Sequence, residues 1–132
     1  MVIAFLMMNP FHHKFYPNRL SSVDGGEYNG YVAFDKELPP SWQGSGSFDS
    51  DNVLDRLVHV HGGITFDNSM SALTDCPIIP LTEIPNPEIL KNFRCIGFDT
   101  LHCDDTKERW TLEATKEEAL NLMKQIEALC DK

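Results

Sequence analysis

His59 and His61 stand two residues apart, and Gly62, Gly63 and Thr65 follow directly behind them. Further along, Asp99 precedes His102 by three positions, with Asp105 three beyond that. Two imidazoles at alternate positions of a strand share a face, with Cα atoms about 7 Å apart. Both could then reach one metal at ~2.0–2.1 Å, with Asp99 or His102 as a third ligand and zinc as a fitting ion. The same pair also suits a plain polar strand face. A carboxylate such as Asp99 beside His102 fixes the imidazole tautomer and raises its basicity, which is what a general base needs. The bland alternative is a solvated acidic hairpin loop. Gly62 and Gly63 let the backbone approach a ligand, and consecutive amides there could form a nest for phosphate or carboxylate. They equally suit a turn, and no Lys-Ser/Thr pair follows as in a phosphate-binding P-loop. Cys103 adjoins His102 in the chain, but sequence adjacency alone does not build a cysteine nucleophile.

The rest of the chain must position these groups. Its 132 residues suit one domain, 1–132, and 42% apolar residues suffice for a core without a structural metal or disulfide. The formal net charge of −9 opposes direct nucleic-acid binding. The four cysteines include no C-x-x-C pair, and the apolar start Met1–Met8 is too short to span a bilayer. A cytoplasmic protein with reduced thiols and no membrane segment is the expectation.

Val2–Met7 is an unbroken apolar run of strand length. Tyr31–Phe34 reads as a strand, preferably starting after a tight turn at Asn29-Gly30. Residues 37–52, with Pro39-Pro40, Gly44, Gly46 and several serines, read as a long loop or lid, in which Trp42 could pack over a pocket. Val58 and Val60 alternate with His59 and His61 and predict a strand into Gly62-Gly63, resuming at Ile64–Phe66. Prolines make 67–92 loop-rich, with one short helical turn after Pro87. Arg94–Asp99 and Arg109–Ala114 read as two strands joined by a hairpin loop over 104–108. Thr115-x-x-Glu118 reads as a capping box, and Ala119, Leu122, Met123, Ile126, Leu129 and Cys130 form the apolar face of a C-terminal helix. Asn121, Lys124, Gln125 and Glu127 fall on its wet side. These elements predict an α+β fold: a mostly antiparallel sheet, long loops, and the C-terminal amphipathic helix packed on the sheet.

Asn29-Gly30-Tyr31-Val32, Val60-His61-Gly62-Gly63-Ile64-Thr65-Phe66 and Gly97-Phe98-Asp99-x-x-His102-x-x-Asp105 together resemble an uncharacterised phage and prophage small-protein family. The likeness covers the middle and last thirds of the chain. It implies His61, Gly62, Gly63, Thr65, Asp99, His102 and Asp105 as a shared site, and a phage setting in a bacterial cytoplasm. His59 stands where that family often has an acidic residue, which favours a site centred on His61, Asp99 and His102 over the paired-histidine metal site. Two functions remain open. One is binding or hydrolysis of a small phosphate- or nucleotide-like anion, with or without a divalent metal. The other is an acidic, anti-CRISPR-like interaction protein that inhibits a host protein with a basic surface.

Overall fold

The computed structural model describes residues 1–8, 28–39, 53–73, 77–100 and 108–131. Five strands form one open antiparallel sheet: β1 (Val2–Met8), β2 (Tyr28–Phe34), β3 (Phe66–Ser69), β4 (Ile78–Pro80) and β5 (Arg94–Phe98). Their order is β3-β5-β2-β1-β4. Short helices α1 (Val53–Leu57) and α2 (Pro87–Leu90) lie in the connections, with a 3-10 turn at Met70–Leu73. The long helix α3 (Leu112–Cys130) packs across β1 and β2. The α+β architecture expected from the sequence is the observed one.

The central strands are apolar on both faces, which is why β1 carries no polar alternation. Ala4, Leu6, Val32, Phe34, Ile96 and Phe98 meet Ala119, Leu122 and Ile126 of α3. Ile3, Phe5, Met7, Ala33 and Cys95 form a second core on the other face, with Met70, Leu90 and Phe93. Burying a side chain of this size removes roughly 1.5–3 kcal/mol worth of apolar surface from water. Each face therefore matters to stability.

Two glycines set how closely the layers approach. Gly30 pairs with Phe98, and Tyr31 pairs with Gly97 across the β2–β5 ladder. A Cβ on Gly30 would meet the Phe98 ring, and one on Gly97 would meet the Tyr31 ring as well as a backbone carbonyl. Each aromatic ring thus occupies the space that a side chain on the facing glycine would fill. Gly30 is accordingly inside β2, which starts at Tyr28; there is no turn at Asn29-Gly30. Asn29 is buried instead, and its Oδ1 accepts the Thr100 amide at 3.3 Å.

Ion pairing secures the far end of the sheet. Arg94 donates from Nε and Nη2 to the Asp67 carboxylate at 2.9 and 2.7 Å, tying β5 to β3. Its remaining donors reach the Leu38 and Pro39 carbonyls at 2.8 and 3.2 Å, and the guanidinium lies over the Phe34 ring. Such a planar fork satisfies a buried carboxylate in two directions at once.

Several sequence expectations are corrected. Residues 58–61 are not strand: α1 precedes them, and an extended segment leads into a turn. Strands β3 and β4 occupy part of the proline-rich region that reads as loop; β4 lies at the sheet edge, where the missing amide of Pro80 is tolerated. The expected strand Arg109–Ala114 is absent. Helix α3 begins there instead, capped by Thr111, whose side chain accepts the Ala114 amide at 3.1 Å. Thr115 is the wrong cap; it is buried inside the helix and returns its hydroxyl to the Thr111 carbonyl. The short helix at Pro87 forms as expected, with Asn86 as its cap. The 37–52 lid lies outside the described residues from position 40 onward, Trp42 included, as does most of the 104–108 loop.

The glycine–aromatic fit predicts that Gly30→Ala destabilises the protein by about 1–3 kcal/mol, the usual cost of overfilling a packed core. Urea unfolding of that variant checks this; an unchanged midpoint would show that Phe98 can move aside freely.

Candidate functional site

At one end of the sheet the start of β2, the start of β3 and the end of β5 lie side by side. Two of the sequence motifs meet there. The Thr65 amide donates to the Gly97 carbonyl at 2.9 Å, so the segment after the double glycine runs as the hydrogen-bonded neighbour of the segment that ends in Asp99. Asp99 is half-buried between two buried neighbours, Phe98 and Thr100. The Thr100 hydroxyl donates to the Tyr28 carbonyl at 2.8 Å, which pins the chain immediately after Asp99.

His61 reaches the same end through aromatic contact. Its ring packs on Trp110 at 4.2 Å between centroids, and Trp110 in turn packs on Phe98 at 6.3 Å. Aromatic contacts of this kind contribute about 0.5–1.5 kcal/mol beyond the area they bury. His61 is half-buried and His59 is exposed. Val58 and Ile64 are buried, and Val60 packs against the same core. The in-and-out alternation read from the sequence is real, although the segment is not a strand.

Side chains of α3 occupy the position a neighbouring strand would take. Gln125 accepts the His59 amide at 2.7 Å and donates to the His59 carbonyl at 2.9 Å. Asn121 also donates to that carbonyl, at 3.4 Å. Glu118 accepts the His61 amide through Oε2 at 3.0 Å and the Asn121 side chain through Oε1 at 3.0 Å. The sequence assigns Asn121 and Gln125 to the wet side of the helix and Glu118 to a capping box. All three instead bind the histidine segment. No local pattern marks them, because Gln, Asn and Glu on a polar helix face look alike whether or not a segment docks there.

Gly62 and Gly63 both have positive φ, 71° and 80°, and the Gly63 amide closes a turn onto the Val60 carbonyl at 2.9 Å. This backbone region favours glycine. The amides of His61, Gly63 and Thr65 are thus committed to Glu118, Val60 and Gly97. The anion nest expected from the double glycine loses those donors, and the two glycines act by shaping the turn.

His102 and Asp105 lie outside the described residues, as do Cys103 and Trp42. Among the described residues, no group of three or more His, Cys, Asp or Glu side chains is placed to hold a metal ion. His59 and His61 do not lie on a strand of the sheet: His59 is exposed, and His61 is half-buried against Trp110. An open hollow of about 250 Å³ lies elsewhere, at the opposite end of β2 and β5, between Phe34, Lys36, Leu38, Asn92 and Arg94. No helix among the described residues is long and apolar enough to cross a membrane.

Trp110 is another residue whose place differs from the sequence expectation. It was expected in a strand, whereas it sits just ahead of the α3 cap and bridges His61 to Phe98. Cysteine chemistry finds no support at the described positions. Cys95 is buried in the second core, and burial, aided by the charge of Asp67, pushes its thiol well above the usual range. Cys95 is therefore expected to resist iodoacetamide in the folded protein and to react only after unfolding, as peptide mass spectrometry would show.

Comparison with known protein families, with curated proteins and with solved structures finds no match to this chain.

Proposed function

We propose that this chain binds and hydrolyses a small phosphate-bearing ligand, nucleotide-like in class, at the His61–Asp99 end of the sheet, with the help of a divalent cation. The observation that carries this function is the Thr65–Gly97 hydrogen bond, which makes the two polar motifs backbone neighbours. His61 is the base that activates water, and its ring is held against Trp110. Asp99 would supply a carboxylate for the cation, and His102 and Asp105, three and six positions further along the chain, are the other candidate ligands. The cation has a physical reason. Glu118 sits on the His61 amide, and the chain carries a net charge of −9, so a bare phosphate would be repelled. Gly62, Gly63 and Thr65 then shape and anchor the turn that presents His61. The motif likeness to phage and prophage proteins supports a bacterial-host cytoplasm as the setting.

A second function is favoured by charge. Glu113, Glu117 and Glu127 are exposed along α3 in an already acidic chain. Such a surface suits an inhibitor that occupies the basic face of a host protein, in the manner of an anti-CRISPR protein. If so, affinity for that partner falls steeply between 50 and 300 mM salt, on the order of tenfold or more. Surface plasmon resonance against a basic nucleic-acid-binding protein of the host, with the salt varied, reads this directly; a flat response excludes the electrostatic mode.

The hydrolytic function is tested with His61→Phe and p-nitrophenyl phosphate in the presence of zinc or manganese. Phenylalanine keeps a ring against Trp110 but carries no nitrogen. Stability should stay within about 1 kcal/mol of wild type, while turnover falls by a factor of about 10²–10⁴. Wild-type protein with no cation-dependent turnover, or a His61→Phe variant that retains it, would remove His61 from the chemistry.

A further inference from the structure

We infer that Glu118, Asn121 and Gln125 are positioning residues: together they set where the His61 imidazole stands against Trp110. Glu118 and Gln125 are seven positions apart on α3, so they point in nearly the same direction, about 10 Å apart along the axis. Glu118 holds the His61 amide, and Gln125 holds both backbone groups of His59. The histidine segment therefore runs antiparallel to α3, with two points of its backbone fastened to one rigid rod. Trp110 hangs from the same rod, directly ahead of the Thr111 cap. Both partners of the stack are thus referenced to a single helix, and the ring separation follows from helix geometry and three side-chain bonds.

Core burial does not do this alone. Val58 and Ile64 anchor the segment on either side by apolar burial. Between those anchors, Gln125 holds the His59 amide and carbonyl, and Glu118 holds the His61 amide. The buried layer fixes how deep the segment sits, and the row on α3 fixes its placement along the helix. For the function proposed above, on which this role rests, the three residues act through His61 and do not touch the ligand.

The test needs no ligand. The His61 ring protons lie near the Trp110 indole, so ring current should displace them upfield from those of exposed His59 in a proton–carbon spectrum, with assignment by loss in His61→Phe. In a Glu118→Ala, Gln125→Ala double variant that displacement should shrink by at least half, while amide signals of β1 and β2 hold their positions. Glu118→Gln, which keeps an oxygen for the His61 amide, should restore it on the Gln125→Ala background. Should the double variant fail to fold, Glu118→Ala and Glu118→Gln alone are compared in the same way. An unchanged displacement after loss of Glu118 and Gln125 would overturn the role, as would a Glu118→Gln variant that behaves like Glu118→Ala. Phosphatase turnover is read on the same variants. Absent turnover in wild type defeats the hydrolytic function yet leaves the ring-current result to decide the positioning role.

Discussion

The arrangement depends on a missing side chain. At Gly30 the Phe98 ring lies directly on the backbone, and the Ala119 methyl is also close. That contact sets the distance between sheet and helix at this end. Phe98 then supports Trp110, and Trp110 supports His61. A line of packing thus leads from bare backbone in the middle of the sheet to an imidazole at the surface. Interiors at crystal-like density transmit such constraints, since a ring displaced by a methyl group has no void to move into.

This line of packing gives the glycine motifs a structural meaning. Gly30-Tyr31 and Gly97-Phe98 are two halves of one packing device, each ring seated on the other strand's glycine. Gly62-Gly63 is a turn with positive φ at both positions. Both glycine motifs are therefore accounted for by what this sheet and its turn need in order to form. His61 and Asp99 add polar groups at this end of the sheet: an imidazole packed on Trp110 and a half-buried carboxylate just past β5.

How much was legible in the sequence follows from how local each signal is. β1, β5 and the apolar face of α3 are written in runs and periods, and they appear where those runs place them. The fold class follows from them. The start of α3 was misread because Thr115-x-x-Glu118 makes a better-looking capping box than Thr111, and Trp110 and Leu112 alternate as strand residues do. The 58–61 segment was misread for a deeper reason. Val58 and Val60 turn inward and His59 turns outward as in a strand, but the backbone partner is a carboxamide on a helix more than sixty positions away. No window of sequence holds both sides of that bond. The double-glycine segment meets the end of β5 through the Thr65 amide on the Gly97 carbonyl, a pairing that no run or period in either segment announces. Which side chains surround His61 was not legible, because polar residues on an exposed helix face carry no sign of their partners.

The two-sided burial of β1 carries a cost during folding. Val2–Met8 holds no charge and no proline, and its neighbours on either side, β2 and β4, come from well-separated parts of the chain. Until Ile78–Pro80 arrives, one hydrogen-bonding edge of this apolar heptapeptide stays open, with the composition that seeds intermolecular cross-β stacking. The finished sheet closes that edge with a strand of only three residues that ends in an imino acid, so the template that would recruit another chain is capped by a residue unable to extend it.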